Sequence, residues 1–82
     1  MDQNEIIKEL TVIWRNELDN DKIILNPETT AKDVDGWDSL TNIQLIVAAE
    51  RKYKVRFSSA EIMNFKNVGE LADSVLKKKE NA

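Results

Sequence analysis

The chain has no cysteine and no histidine in its 82 residues. The first absence rules out disulfides and a Cys-His nucleophile pair. The second rules out a Ser-His-Asp triad, and together they remove the usual zinc ligands. Acid–base work would fall to carboxylates, lysines or the one tyrosine, so a complete active site is not expected. With only one proline and two glycines, the chain suits helices better than many short strands. It has no apolar run as long as a membrane span, and its start lacks the apolar core of a signal peptide. These absences point to the cytoplasm and away from membranes.

What remains is a globular balance: 41% hydrophobic and 33% charged residues. The length predicts one small domain, residues 1–82. The formal net charge of −3 is unevenly spread. Residues 1–40 carry 10 acids and 4 bases, whereas residues 41–82 carry 5 acids and 8 bases. No helix carries a sustained basic stripe, so nucleic acid is not an expected partner.

Asp2-Gln3-Asn4-Glu5 has the spacing that opens a helix. Ile6, Leu10, Ile13, Trp14 and Leu18 then recur at helical intervals, which predicts a helix over residues 3–18. Residues 19–37 form a long connection in which Ile23, Ile24, Leu25 and Val34 should be buried. Asn26-Pro27 marks a turn. A second helix follows over residues 39–53, with apolar side chains in two stripes. One holds Leu45, Ile46, Ala49 and Tyr53; the other holds Leu40, Ile43 and Val47. Either the second stripe is left for a partner or a cavity, or the helix is buried on both sides. Lys54–Phe57 reads as a short extended link. Ser58-Ser59-Ala60-Glu61 opens a brief third helix bearing Ile62, Met63 and Phe65. Asn67-Val68-Gly69-Glu70 opens a fourth, which fades into Lys77–Lys79. The expected fold is therefore all-α: a four-helix bundle with three main helices, a short third helix and a long first loop.

Gly36-Trp37-Asp38-Ser39-Leu40 stands where the long loop meets the second helix. A hydroxyl at a helix start lies at the positive end of the dipole, where a phosphate is favoured. The simpler reading makes Ser39 a helix cap. A calcium loop around Asp33-x-Asp35-Gly36 fails, because Ala31 and Asn42 occupy positions that need ligands. A nucleophile elbow fails for want of the second glycine and of histidine.

Taken with Leu40, Ile43, Val47, Glu50, Tyr53, Phe57 and Val68 at their intervals, the motif resembles the attachment site of acyl carrier proteins. Ser39 has 38 residues before it and 43 after, so the likeness spans nearly the whole chain. Peptidyl carrier domains and the D-alanyl carrier are similar in architecture. The resemblance implies that Ser39 carries a covalent 4'-phosphopantetheine arm, added from coenzyme A by a magnesium-dependent phosphopantetheinyl transferase that Asp38 helps to engage. It implies a docking surface of Leu40, Ile43, Val47 and Glu50 for acyl-loading ligases or acyltransferases and for synthase-type enzymes. It also implies a monomer that catalyses nothing itself. Trp37 departs from the small residue common before Asp-Ser in fatty-acid carriers, and Gly-Trp-Asp-Ser-Leu resembles carriers of specialised biosynthetic clusters. Thr41, Gln44, Ala48 and Arg51 stand where fatty-acid carriers usually show acids, which implies a dedicated partner. The rival from another class is an unmodified helical adaptor whose Leu40/Ile43/Val47 stripe binds a partner helix.

Overall fold

The computed structural model describes residues 2–80. Four helices follow in order: α1 (Gln3–Glu17), α2 (Ser39–Tyr53), α3 (Ser59–Asn64) and α4 (Val68–Glu80), with a 3₁₀ turn at Ala31–Asp33 inside the first loop. This is the expected all-α bundle. Asp2 caps α1 by accepting from the Glu5 amide at 2.9 Å. The helix stops at Leu18, and Asp19 turns left-handed with φ 52°. Ser58 caps α3 within a complete capping box. Asn67 accepts from the Glu70 amide, while Glu70 reaches back to the Lys66 amide, both at 2.9 Å. Instead of fading at Lys77–Lys79, α4 continues to Glu80. Lys79 is held there by donating to the Tyr53 carbonyl at the end of α2, 3.2 Å away.

The core is built from one face of each main helix. Ile6, Leu10 and Trp14 of α1 meet Leu45 and Ala49 of α2 and Val68, Ala72 and Val75 of α4, all fully buried. Polar bonds at the rim fix how the helices sit. Tyr53 donates to Glu9 at 2.7 Å, Gln44 to Glu17 at 3.1 Å and Gln3 to Asp73 at 3.0 Å.

The long loop is pinned rather than loose. Ile23, Leu25 and Val34 are buried, as expected, but Ile24 is 74% exposed. The segment there is extended, so neighbouring side chains alternate sides and only Ile23 and Leu25 can reach the core. The Asn26–Thr29 turn closes with a 3.1 Å backbone bond, and the Thr29 hydroxyl accepts from the Asn26 amide. The loop then lends two carbonyls to the start of α4. Thr29 accepts from the Val68 amide and Pro27 from the Gly69 amide, each at 2.9 Å. These are N–H groups that the helix itself cannot satisfy. A Cβ at position 69 would lie 2.9 Å from the Pro27 carbonyl oxygen, so this close approach requires glycine.

The two stripes of α2 divide cleanly. Leu45, Ile46, Ala49 and Tyr53 are buried, while Leu40 is 80% exposed, Ile43 63% and Val47 37%. The helix is buried on one side. Leu45→Ala is expected to destabilise the fold by about 2–5 kcal/mol. Val47→Ala should stay within about 0.5 kcal/mol of wild type. Urea unfolding of both variants measures the difference, and equal losses would mean that both stripes are core.

Candidate functional site

The loop reaches α2 through a turn at Gly36, whose φ of +88° strongly favours glycine. Trp37 follows as a half-buried anchor. Its ring meets that of Trp14 edge-on, with centroids 5.3 Å apart and planes at 85°. Its indole N–H donates to Asn42 Oδ1 at 2.9 Å. Together these contacts fix the register in which the chain enters α2.

Asp38, not Ser39, is the helix cap. Its Oδ1 accepts from the Leu40 amide at 2.9 Å and from the Thr41 amide at 3.0 Å. The Thr41 hydroxyl accepts in turn from the Asp38 amide at 2.9 Å and donates to the Gly36 carbonyl at 2.6 Å. A threonine thus stands where capping boxes usually place Glu or Gln. These bonds, led by those from Thr41 and Leu40, hold the Asp38 carboxyl below its ordinary value of 3.8. The other carboxylate oxygen takes no part in the cap and remains at the exposed surface.

Ser39 is the first residue of α2, exposed and free of the capping bonds. The cap reading of Ser39 is therefore replaced by one in which its neighbour does that work. Ser39 lies on the rim of a groove of about 550 Å³ between the loop, α2 and α3, with Ile46, Ile62, Phe65 and Leu71 among the apolar lining. Met63, borne on the third helix as expected, is 84% exposed beside this groove. The third helix is too short to turn more than part of one face inward, and Ile62 and Phe65 take the inner places. Phe65 is seated edge-on against Phe57 at 5.5 Å.

Of the expected docking residues, Leu40, Ile43 and Val47 lie together on the exposed stripe. Glu50 is half-buried, and its Oε2 accepts from the Phe57 amide at 2.8 Å, tying α2 to the link before α3. The sequence reading gave Thr41 only a place on the partner-facing surface, not in the cap, and gave Asn42 no role in the site. Threonine three places after Asp38 was a usable signal for the first. Asn42 meets Trp37 across the loop-to-helix turn, which residue spacing alone does not reveal.

A phosphate ester on Ser39 fits these surroundings. The hydroxyl is exposed, the cap does not need it, and it stands at the amino end of a fifteen-residue helix. Residues 8–75 match the family described as "Phosphopantetheine attachment site". The chain is 34% identical over 71 residues to an acyl carrier protein of Acidothermus cellulolyticus, covering 87% of this chain and 76% of that one. Its fold is similar to the solution structure of holo acyl carrier protein from Geobacter metallireducens, with TM-score 0.86 and 46% identity. That match covers 93% of this chain and 87% of the other.

The cap generates a pH prediction. A carboxyl whose folded value lies below its ordinary one stabilises the fold in its ionised form. That contribution is complete above the ordinary carboxylate range and disappears as pH falls through 3.8 toward the folded value. Asp38→Ala should therefore melt lower than wild type at neutral pH. The gap should narrow in thermal melts taken progressively below pH 3.8. A gap independent of pH would show that the ionised cap is not its source.

Proposed function

The chain belongs to the phosphopantetheine-binding family of acyl carrier proteins, and on that premise we propose that Ser39 is its attachment residue. As a carrier it is not itself an enzyme. The arm supplies a terminal thiol, absent from the sequence, on which acyl groups are held as thioesters.

The observation that carries the assignment is the division of work between Asp38 and Ser39. Asp38 satisfies the first amides of α2 through one oxygen and leaves the serine hydroxyl unengaged by the cap. The second oxygen of Asp38 is placed to help a transferase and its magnesium ion engage the site. In the transfer, a bond forms between Ser39 Oγ and the pantetheine-side phosphorus as the pyrophosphate link of coenzyme A breaks and adenosine 3',5'-bisphosphate leaves. The serine proton leaves to the transferase. Gly36, Trp37 and Thr41 hold the turn so that the hydroxyl faces outward. The groove beside Ser39 offers Ile46, Ile62 and Phe65 to an apolar chain that folds back toward the protein.

Carriers of this family work with a phosphopantetheinyl transferase and with synthase-type enzymes. In the finer reading, residues 1–82 act as one monomeric carrier domain in the cytoplasm, loaded by a ligase or acyltransferase. Leu40, Ile43 and Val47 are the apolar docking surface, because they are large, adjacent and exposed. Glu50 contributes there through the link it fixes. The partners are dedicated ones suited to Thr41, Gln44, Ala48 and Arg51 on this face.

Incubation with coenzyme A, magnesium and a broad-specificity transferase should add one phosphopantetheine to the wild-type chain and none to Ser39→Ala, read by intact mass. Because Asp38 provides the cap, the variant should melt within a few degrees of wild type, so a loss of labelling reports chemistry rather than unfolding. Equal labelling of the variant would move the attachment elsewhere. Failure of the wild-type chain to label would favour the unmodified adaptor.

A further inference from the structure

The surface beyond Val47 carries a charge pattern that the attachment site does not need. Two shallow grooves meet there. One, of about 480 Å³, is lined by Val47, Glu50, Arg51, Lys54, Val55 and Arg56. The other, of about 440 Å³, shares Lys54, Val55 and Arg56 and adds Lys77 from α4. Arg51, Lys54, Arg56 and Lys77 are all exposed, and none of them forms an ion pair among the described residues.

The nearby acids are already engaged by the fold. Glu50 accepts from the Phe57 amide at 2.8 Å. Glu61 accepts from the Ser58 amide and pairs with Lys78 at 3.0 Å. Glu17, at the far side of Val47, accepts from Gln44 at 3.1 Å. Lys78 is spent on Glu61 and on the face of Phe57. Four cations thus surround an apolar floor of Val47 and half-buried Val55, with no free acid set among them. Toward Ser39 the sign reverses, because Asp33, Asp35 and Asp38 are exposed there. Twelve residues of helix separate Ser39 from Arg51, roughly 18 Å along the axis.

We propose that this second patch is a docking site for a protein surface rich in carboxylates around an apolar anchor. The proposal rests on the carrier reading for its purpose. Charge complementarity names the occupant: an acidic contact surface pairs with Arg51, Lys54, Arg56 and Lys77 while its apolar centre covers Val47 and Val55. The reversed charge at the serine end fixes which way round the partner binds, since a turned partner would set like charges against each other. It also works against a membrane of anionic lipid, which would be repelled where the arm must operate.

The test uses the full chain after its modification has been verified by mass, so that failure of the carrier reading is detected separately. Two helical peptides share one leucine face and carry either glutamate or lysine at the flanking positions. Each is titrated into the isotope-labelled protein, with amide shifts followed by NMR. The glutamate peptide should bind at least about tenfold tighter at low salt and lose most of that advantage in high salt, where charges are screened. Its shifts should centre on Val47, Arg51, Val55 and Lys77. Arg51→Glu combined with Lys77→Glu should abolish the preference while leaving the melting temperature unchanged. If the double variant unfolds, Arg51→Gln with Lys77→Gln replaces it, and should reduce the preference. Equal affinity for the two peptides, or shifts centred elsewhere, overturns the proposal. So does binding to phosphatidylglycerol vesicles without binding to the glutamate peptide.

Discussion

The loop between α1 and α2 is long and has no ladder of its own, so its backbone must find partners elsewhere. It finds them at the start of α4, where the Pro27 and Thr29 carbonyls take up the Gly69 and Val68 amides. Each side supplies what the other lacks: helix donors without acceptors meet loop acceptors without donors. Gly69 makes the approach possible by having no side chain to hold the strands of backbone apart. With this junction closed, Ile23, Leu25 and Val34 can be buried, and the chain is delivered to Trp37 and the start of α2 in a fixed register. The position of Ser39 follows from that sequence of constraints.

At the serine, structural and chemical demands fall on adjacent residues. A helix start needs an acceptor for its first amides, and a modifiable hydroxyl needs freedom from such duty. Asp38 and Thr41 meet the first need through a closed set of bonds, and Ser39 takes no part in them. The groove alongside has one wall from the main bundle and another from α3, a helix of six residues held by Glu61 and Lys78 and by the Phe57–Phe65 contact. That second wall is therefore the shortest α-helix of the described residues.

Much of this was legible in the sequence because it rests on local rules. Helical spacing placed α1 and α2, cap residues placed α3 and α4, and Asn26-Pro27 marked a turn. The two stripes of α2 could be seen, but spacing alone did not say whether the second was buried as well, since that depends on α1 and α4 closing over Leu45 and Ala49 alone. Ile24 was misplaced for a related reason. An apolar side chain beside other apolar ones is buried only if the backbone turns it inward. Glu50 looked like a surface acid, and the structure employs it to hold the Phe57 amide, seven residues away. The cap was misassigned between Asp38 and Ser39 because both residue types serve that purpose.

The edge-on meeting of Trp14 and Trp37 gives the molecule an optical property. These are its only two indoles, and they differ in their surroundings. Trp14 is sealed in the core with its N–H lacking an acceptor among the described residues. Trp37 borders the groove and is hydrogen-bonded to Asn42. At 5.3 Å between centroids, light energy absorbed by one ring passes readily to the other. Because only Trp37 of the two borders the groove, binding there is expected to alter the native fluorescence with no dye attached.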